Sequence, residues 1–540
     1  MPTPRFTPRK LPAVAALLLA TAGIVVGQKA YEYAADPSGE KDCSSLGVTA
    51  VPGAPAAASA PAVPAASLIP DVAALPWSQR GGTLNDASCL NRTAVYGVVQ
   101  VTTVEQIQAA LDYARANNLK VSMAGARHSM GGHAFAPNAL VLDMTRFNAM
   151  SLNRDTRLLT VQSGATWHDV QNYLHPLYAV KAMQSTDIFT VGGSIAVNAH
   201  GMDHQAGSVG STIRSMRVML PDGTIQRVGP AENRELFDLV VGGYGLFGIV
   251  LDADLDVTDN VVYTTGRQVV DYQAFPDLFA TTLGPDRSLG LFYGHLSTAP
   301  DSLLREMILY TYRETEPARA DLPPLEEVSG TKLRRLLLNV SKRGDLAMRI
   351  KWLAEKHLEP LLESCTVPRT QAMAQGEACL VSRNEPMHDS VKYLKNGLQD
   401  DTDILQEYFV PRDRLVPFVD GLREIVRANR TRLLNASVRV VHREENVLSY
   451  APTDMFAVVL YVNQPTTDEG HAAMAKQTRD VIDLALGQNG TFFLPYQLHY
   501  TSDQLRRSYP RLDAFLEAKR RYDPHALLTS TFYERLAQHP

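Results

Sequence analysis

The chain has 540 residues, of which 45% are hydrophobic and 20% charged, and a formal net charge of −5. That length exceeds one core and implies at least two packed domains, while the slight negative charge gives no footprint for a nucleic-acid partner. The four cysteines, Cys43, Cys89, Cys365 and Cys379, show no C-x-x-C spacing. This excludes a zinc ribbon, an iron–sulfur cluster or a disulfide scaffold, and no metal site is expected. Cys365 and Cys379 are either a pair in an oxidising compartment or two buried thiols.

Arg5, Arg9 and Lys10 precede a charge-free apolar segment over 11–27. This is the plan of a signal peptide or a membrane anchor within residues 1–30. The small-residue pattern Ala20-Thr21-Ala22 lies inside the apolar run rather than after it, which favours an uncleaved anchor. Basic residues on its N-terminal side keep that end cytoplasmic and place the body outside, on the periplasmic side of a bacterium; secretion after cleavage is the alternative. Residues 49–67 are almost wholly Ala, Pro, Val and Ser, so 31–88 reads as an extended linker. The folded body is expected from about Cys89.

A short strand is expected at 98–101. Thr103 then caps a helix running to Asn117, with Gln106 three residues on. A strand at 120–124 completes a β-α-β start and feeds a turn of small residues, Gly125-Ala126-Arg127-His128-Ser129-Met130-Gly131-Gly132. Small residues let the backbone approach a ligand, and successive N–H groups form a concavity for an anion, with a diphosphate the natural occupant. A glycine-rich surface loop is the plain alternative. Strands follow at 139–143 and 158–162, then a helix over 166–174. Thr190-Val191-Gly192-Gly193 through Val197-Asn198-Ala199-His200-Gly201 forms a second small-residue loop, before a strand at 213–220 and a Pro221-Asp222-Gly223 turn. A third cluster, 242–248, contains G-x-G-x-x-G from Gly243 to Gly248. It does not read as a Rossmann fingerprint, because a strand over 249–257 follows where that fingerprint opens a helix, and no Walker lysine is present.

In this order the four motifs resemble the flavin domain of the vanillyl-alcohol-oxidase family, the PCMH-type FAD-binding domain, over about 90–260. His200-Gly201 through Ser208, and Ile213-Arg214-Ser215-Met216, are most similar to the decaprenylphosphoryl-ribose oxidase group, with the sugar-lactone and alditol oxidases close behind. The resemblance implies an α+β architecture. A two-part FAD domain of two α/β subdomains would occupy 89–260, and a mixed α/β substrate cap 261–490. Residues 491–540 would return to the flavin domain.

The resemblance also implies FAD as cofactor. Gly125, Ala126, Arg127, His128, Ser129 and Met130 would wrap its diphosphate. Thr190, Val191, Gly192, Gly193, Val197, Asn198, His200 and Gly201 would line the ribityl and adenylate portions, with Ile249 near the adenine. His128 stands where many family members bond covalently to the flavin's 8α-methyl carbon. The lipid-linked ribose oxidases have a different residue there, so a covalent link and a hydrogen bond both stay open. No cysteine lies between Cys89 and Cys365, so a second, cysteinyl link is not expected.

In the second half, 332–356 carries Lys332, Arg334, Arg335, Lys342, Arg343, Arg349, Lys351 and Lys356 against Asp345 and Glu355, interleaved with Leu333, Leu336, Leu337 and Val340. This is either a solvated helix face or a helix pair resting on an anionic membrane near the anchor. Where alditol oxidases have a substrate-binding Glu-x-Arg pair, this chain has Ser437 and Arg439, so Arg439 either holds substrate oxygens or is structural. The C-terminal run Phe492-Phe493-Leu494-Pro495-Tyr496-Gln497-Leu498-His499-Tyr500 resembles the return to the flavin domain.

The reading is an FAD-dependent oxidoreductase acting on a CH–OH group of a sugar-like or lipid-linked sugar substrate. Tyr496 or His499 would be the base and His200 a flavin-loop residue. The alternatives are an aldonolactone or alditol oxidase using oxygen, and a silent, membrane-tethered flavin-domain binding protein. The electron acceptor and oligomeric state leave no signature.

Overall fold

The strands and helix expected at the start form as their spacing implies. Thr103 Oγ1 accepts from Gln106 N and caps the helix Val104–Ala116, while Gln106 Oε1 takes Thr102 N at 2.7 Å. The apolar strands Gly97–Gln100 and Val121–Ala124 both pair parallel with Leu140–Asp143. Parallel strands covered on both faces need continuous apolar runs, and this sheet has them. In this computed structural model, residues 26–35, 75–317, 320–325, 331–357, 380–388 and 396–537 are described.

The folded body begins before Cys89, which corrects the linker boundary. Trp77–Arg80 is an antiparallel edge strand on Gly97–Gln100. The Trp77 ring packs 5.7 Å from Tyr113 and 6.2 Å from Tyr96, with the Arg80 guanidinium 4.6 Å above it. One tryptophan at the end of an Ala/Pro-rich tract supplies enough aromatic contact to order the strand.

A second sheet is antiparallel and runs Ile225–Val228, Ile213–Met219, Ile249–Asp259, Leu158–Gln162, Met150–Asn153, with Tyr178–Val180 pairing the far end of Ile249–Asp259. The glycine cluster 242–248 therefore feeds an antiparallel strand. The second small-residue segment is not a plain loop: Thr190 accepts from Gly193 N and caps a short helix, Val191–Val197.

The cap is built on an eight-stranded antiparallel sheet in the order Leu380–Ser382, Val262–Asp271, Glu306–Glu316, Leu289–Leu296, Arg432–Val441, Met455–Pro465, Asp401–Pro411, Thr491–Phe492. The last segment returns to the first sheet. Val121 N donates to Leu527 O at 2.7 Å and Thr529 N to Val121 O at 2.8 Å. The segment 11–25, the tract 49–67, and Cys43, Cys365 and Cys379 lie outside the described residues. Among the described residues no helix is long and apolar enough to cross a membrane. Cys89 is disulfide-bonded, a pairing the cysteine spacing did not single out.

Candidate functional site

The two sheets of the N-terminal half, the cap sheet and the C-terminal return enclose a cavity of about 990 Å³. That is the upper end of the range for ligand sites, about 300–1,000 Å³. The three small-residue clusters, far apart in sequence, all line it. From the first come Gly125, Ala126, Arg127, His128, Ser129 and Met130; from the second Thr190, Gly192, Gly193, Val197 and His200; after the third, Gly245 to Ile249. Arg439 and Tyr496 line it from the cap side.

Four of the residues singled out from sequence do not line the cavity. Val191 is fully buried in the core. Asn198 ends the short helix in the left-handed region at φ 51°, where its Oδ1 accepts from Gly210 N and its Nδ2 donates to Glu444 Oε2, both at 2.9 Å. Gly201 packs so closely on the backbone that a Cβ would overlap Met183 O. His499 stands beyond the cavity wall, where Arg479 Nη1 donates to its carbonyl at 3.3 Å. Burial, then the positive charges of Arg535 and Arg479, push the His499 imidazole down to about 4.

The wall formed by the small-residue clusters is a backbone surface. A Cβ on Gly125 would overlap Thr190 Oγ1, the group that caps the adjoining helix. Arg127 holds a left-handed φ of 55° and is anchored by Nη1 donating to Asn85 O at 3.1 Å. A non-glycine residue in that region is strained and persists because its surroundings hold it. Met130 N donates to Pro495 O at 2.6 Å and Gly132 N to Asp86 Oδ2 at 3.0 Å, so the turn is stitched to the C-terminal return and to the segment at Asp86. The His128 ring lies 5.3 Å from that of Phe189.

The opposite wall carries side-chain chemistry. Glu407, on the strand Asp401–Pro411, is 4% exposed. Tyr496 OH donates to its Oε2 at 3.1 Å, and His200 Nε2 stands 2.6 Å from its Oε1. The His200 ring is caged by Phe409, Tyr450 and Phe493 at 5.6–6.0 Å. Burial first, then the negative charge of Glu407, raises the Tyr496 phenol well above its ordinary value, with Arg439 opposing. Arg439 Nε and His200 Nδ1 are buried with no hydrogen-bond partner among the described residues. Buried donors are nearly always satisfied, so two orphans in one cavity fit a bound molecule that supplies the acceptors. These observations match what a dinucleotide with a reacting ring requires: a close backbone cradle on one side and polar side chains on the other.

Further along the same wall, Lys342 Nζ pairs with Asp403 Oδ2 at 2.7 Å, and Asn463 Nδ2 donates to Asp403 Oδ1 at 2.6 Å. Burial raises the Asp403 carboxyl against the pull of Lys342. Thr331 and Arg335, from the helix Thr331–Ser341, line the cavity beside them. Glu407 and the Lys342–Asp403 pair escaped the sequence reading. The available signal was Asp403 and Glu407 four residues apart, on one face of the strand.

A family profile described as FAD binding domain matches residues 95–229. The chain is similar to the "Uncharacterized oxidoreductase ORF5 in fasciation locus" of Rhodococcoides fascians, 33% identical over 169 residues, which are 30% of this chain and 37% of that protein. It is 35% identical over 139 residues to the decaprenylphosphoryl-beta-D-ribose oxidase of Mycolicibacterium smegmatis, covering 25% of this chain and 30% of the relative. With the D-lactate dehydrogenase of Anaerostipes hadrus it shares 24% identity over 307 residues, 53% of this chain and 61% of the relative. The chain thus spans from 30% to 61% of the length of these relatives.

Proposed function

From the premise that residues 95–229 are an FAD-binding domain of the PCMH type, with FAD as the cofactor, we propose an oxidoreductase that acts on a CH–OH group of a sugar-like or lipid-linked sugar substrate. The observation that carries this reading is one cavity with the glycine turns on one wall and Glu407, Tyr496 and Arg439 on the other. When bound, FAD supplies the acceptor for the carbinol hydride at its ring N5.

The chain's own residues handle the proton and the oxygen. Arg439, with its Nε unpartnered, donates to a substrate oxygen and fixes the hydroxyl's orientation. The Tyr496 oxygen takes the proton of the reacting hydroxyl as its own proton passes to Glu407 Oε2, 3.1 Å away. The high phenol pKa disfavours a free tyrosinate, so the two transfers are coupled. His200, 2.6 Å from the other carboxylate oxygen, holds Glu407 in place. The balance is a substrate that loses two electrons and a hydrogen nucleus to the cofactor and a proton to Glu407, leaving a carbonyl. Positioned proton transfer of this kind is worth about 10²–10⁴-fold. His128, in the first turn, lines the cavity, where a covalent link to the cofactor and a hydrogen bond both stay open, and the disulfide at Cys89 fits an oxidising compartment outside the cytoplasm.

Anaerobic mixing of the purified yellow protein with sugars, sugar lactones, alditols and 2-hydroxy acids tests the reading. Loss of 450-nm absorbance with a sugar-like donor supports it, and peroxide release on adding air assigns oxygen as acceptor. A full complement of flavin that no CH–OH donor bleaches overturns it in favour of a binding protein.

A further inference from the structure

The helices Thr331–Ser341 and Asp345–His357 each leave an apolar stripe exposed. Leu333, Leu337 and Val340 recur at i, i+4 and i+7, and so do Leu346, Ile350 and Leu353; all six are exposed, between 39% and 68%. The inward face of the first carries polar and charged residues, with Arg335, Asn339 and Ser341 buried beside Leu338 and Lys342 buried just beyond, whereas the second buries Met348 and Trp352. A helix in a globular protein normally turns its apolar stripe to the core, so two adjacent stripes left exposed mark a face with a partner.

A third helix joins them. The helix over 26–34 is tied to the first, with Arg335 Nη1 donating to Ala35 O at 3.0 Å and Asn339 Nδ2 to Tyr33 O at 2.8 Å. The Arg343 guanidinium lies 4.8 Å over the Tyr33 ring. This helix exposes Val26 and Tyr31. Eight of the eleven exposed large hydrophobic side chains among the described residues therefore sit on these three helices.

We propose that the helix pair 331–357, with the helix over 26–34 beside it, rests on the surface of an anionic lipid bilayer. Charge complementarity selects this partner. In a chain of net charge −5, 332–356 holds eight cations against two anions. Lys342 and Arg335 turn inward and Arg349, Lys351 and Lys356 pair with Asp301, Glu355 and Glu306, while Lys332 and Arg343 stay exposed on the same helices and the turn between them. Exposed leucines and isoleucine flanked by lysine and arginine are what an interfacial helix presents to headgroups and acyl chains. Residues 11–25, apolar and without charge in the sequence, directly precede the helix over 26–34. Thr331 and Arg335 also line the large cavity, so the proposed contact face adjoins the cap-side wall of the site.

The test uses the full-length holoprotein with an environment-sensitive fluorophore at Leu353→Cys, and a control with the fluorophore at Ile225→Cys on the flavin domain. Each is mixed with vesicles of phosphatidylcholine and phosphatidylglycerol carrying spin-labelled quencher lipid. We expect quenching of the Leu353→Cys label at least about twofold stronger than that of the control, weaker with phosphatidylcholine alone, and abolished in Leu337→Glu/Ile350→Glu protein that retains its 450-nm absorbance. Equal quenching at both positions, or none at either, overturns the proposal. A Leu353→Cys label shielded without lipid, in protein of dimeric mass, overturns it in favour of a second copy of the chain.

Discussion

The two walls of the cavity are made by opposite means. On the glycine side the surface is backbone: the turn after Val121–Ala124, the start of the helix Val191–Val197, and the turn before Ile249–Asp259 present small residues and peptide groups. On the cap side it is a few single side chains, Glu407, Arg439 and Tyr496, from two long antiparallel strands and a C-terminal loop. A backbone cradle tolerates almost no added atom, and its failure is loss of cofactor. A side-chain wall tolerates shape-conserving changes, and its failure is loss of rate with the cofactor retained.

The sharpest way to break that division is Gly125→Val. Its added Cβ would collide with Thr190 Oγ1, and the cap on Gly193 N would have to move. Purified protein should lose its 450-nm absorbance, with flavin retention falling by at least about 10²-fold, as expected for overpacking where backbone must meet ligand. A yellow Gly125→Val protein would show that the first turn is not the cradle. Tyr496→Phe should do the reverse: full flavin content with turnover reduced about 10–10²-fold, because the proton relay loses its oxygen. His499→Gln, beyond the cavity wall, should leave turnover unchanged, and a loss comparable to that of Tyr496→Phe would relocate the base.

A smaller effect concerns stability. Burial pushes His133 down to about 3 and His204 down to about 4. Both are neutral in the fold, whereas the unfolded chain binds protons at about 6.5. Stability is therefore full above about pH 6.5 and declines as pH falls toward 4, by up to about 1.4 kcal/mol per pH unit for each histidine. Chemical denaturation across that window measures the slope. His204→Phe, which keeps a ring against Phe279 and Phe292, should flatten it.

The same contrast explains what could be read before any coordinates. Wherever backbone meets a ligand, the sequence must supply small residues at consecutive positions, and such clusters are visible as strings: 125–132, 190–201 and 242–248. The β-α-β start was equally legible, since Thr103 and Gln106 occupy the capping positions that the helix uses. Glu407 was not. One carboxylate in a buried strand looks like any other until pairing across Met455–Pro465 and the C-terminal return bring Tyr496 to it. His499 was misplaced because a nine-residue run with two tyrosines and a histidine has no period to say which ring faces inward. The helix pair 331–357 was legible in charge but not in orientation. Its periodic leucines fit a core-facing stripe, and only their exposure, with Arg335 and Lys342 buried instead, shows that the stripe faces out.

The central claim is that the cap-side carboxylate receives the proton while the glycine wall holds the cofactor. Glu407→Gln separates the two most directly, followed by anaerobic stopped-flow reduction with a donor that bleaches the wild type. The account predicts unchanged flavin content and a reduction rate lower by about 10²–10⁴-fold. A Glu407→Gln protein reduced at the wild-type rate would contradict it.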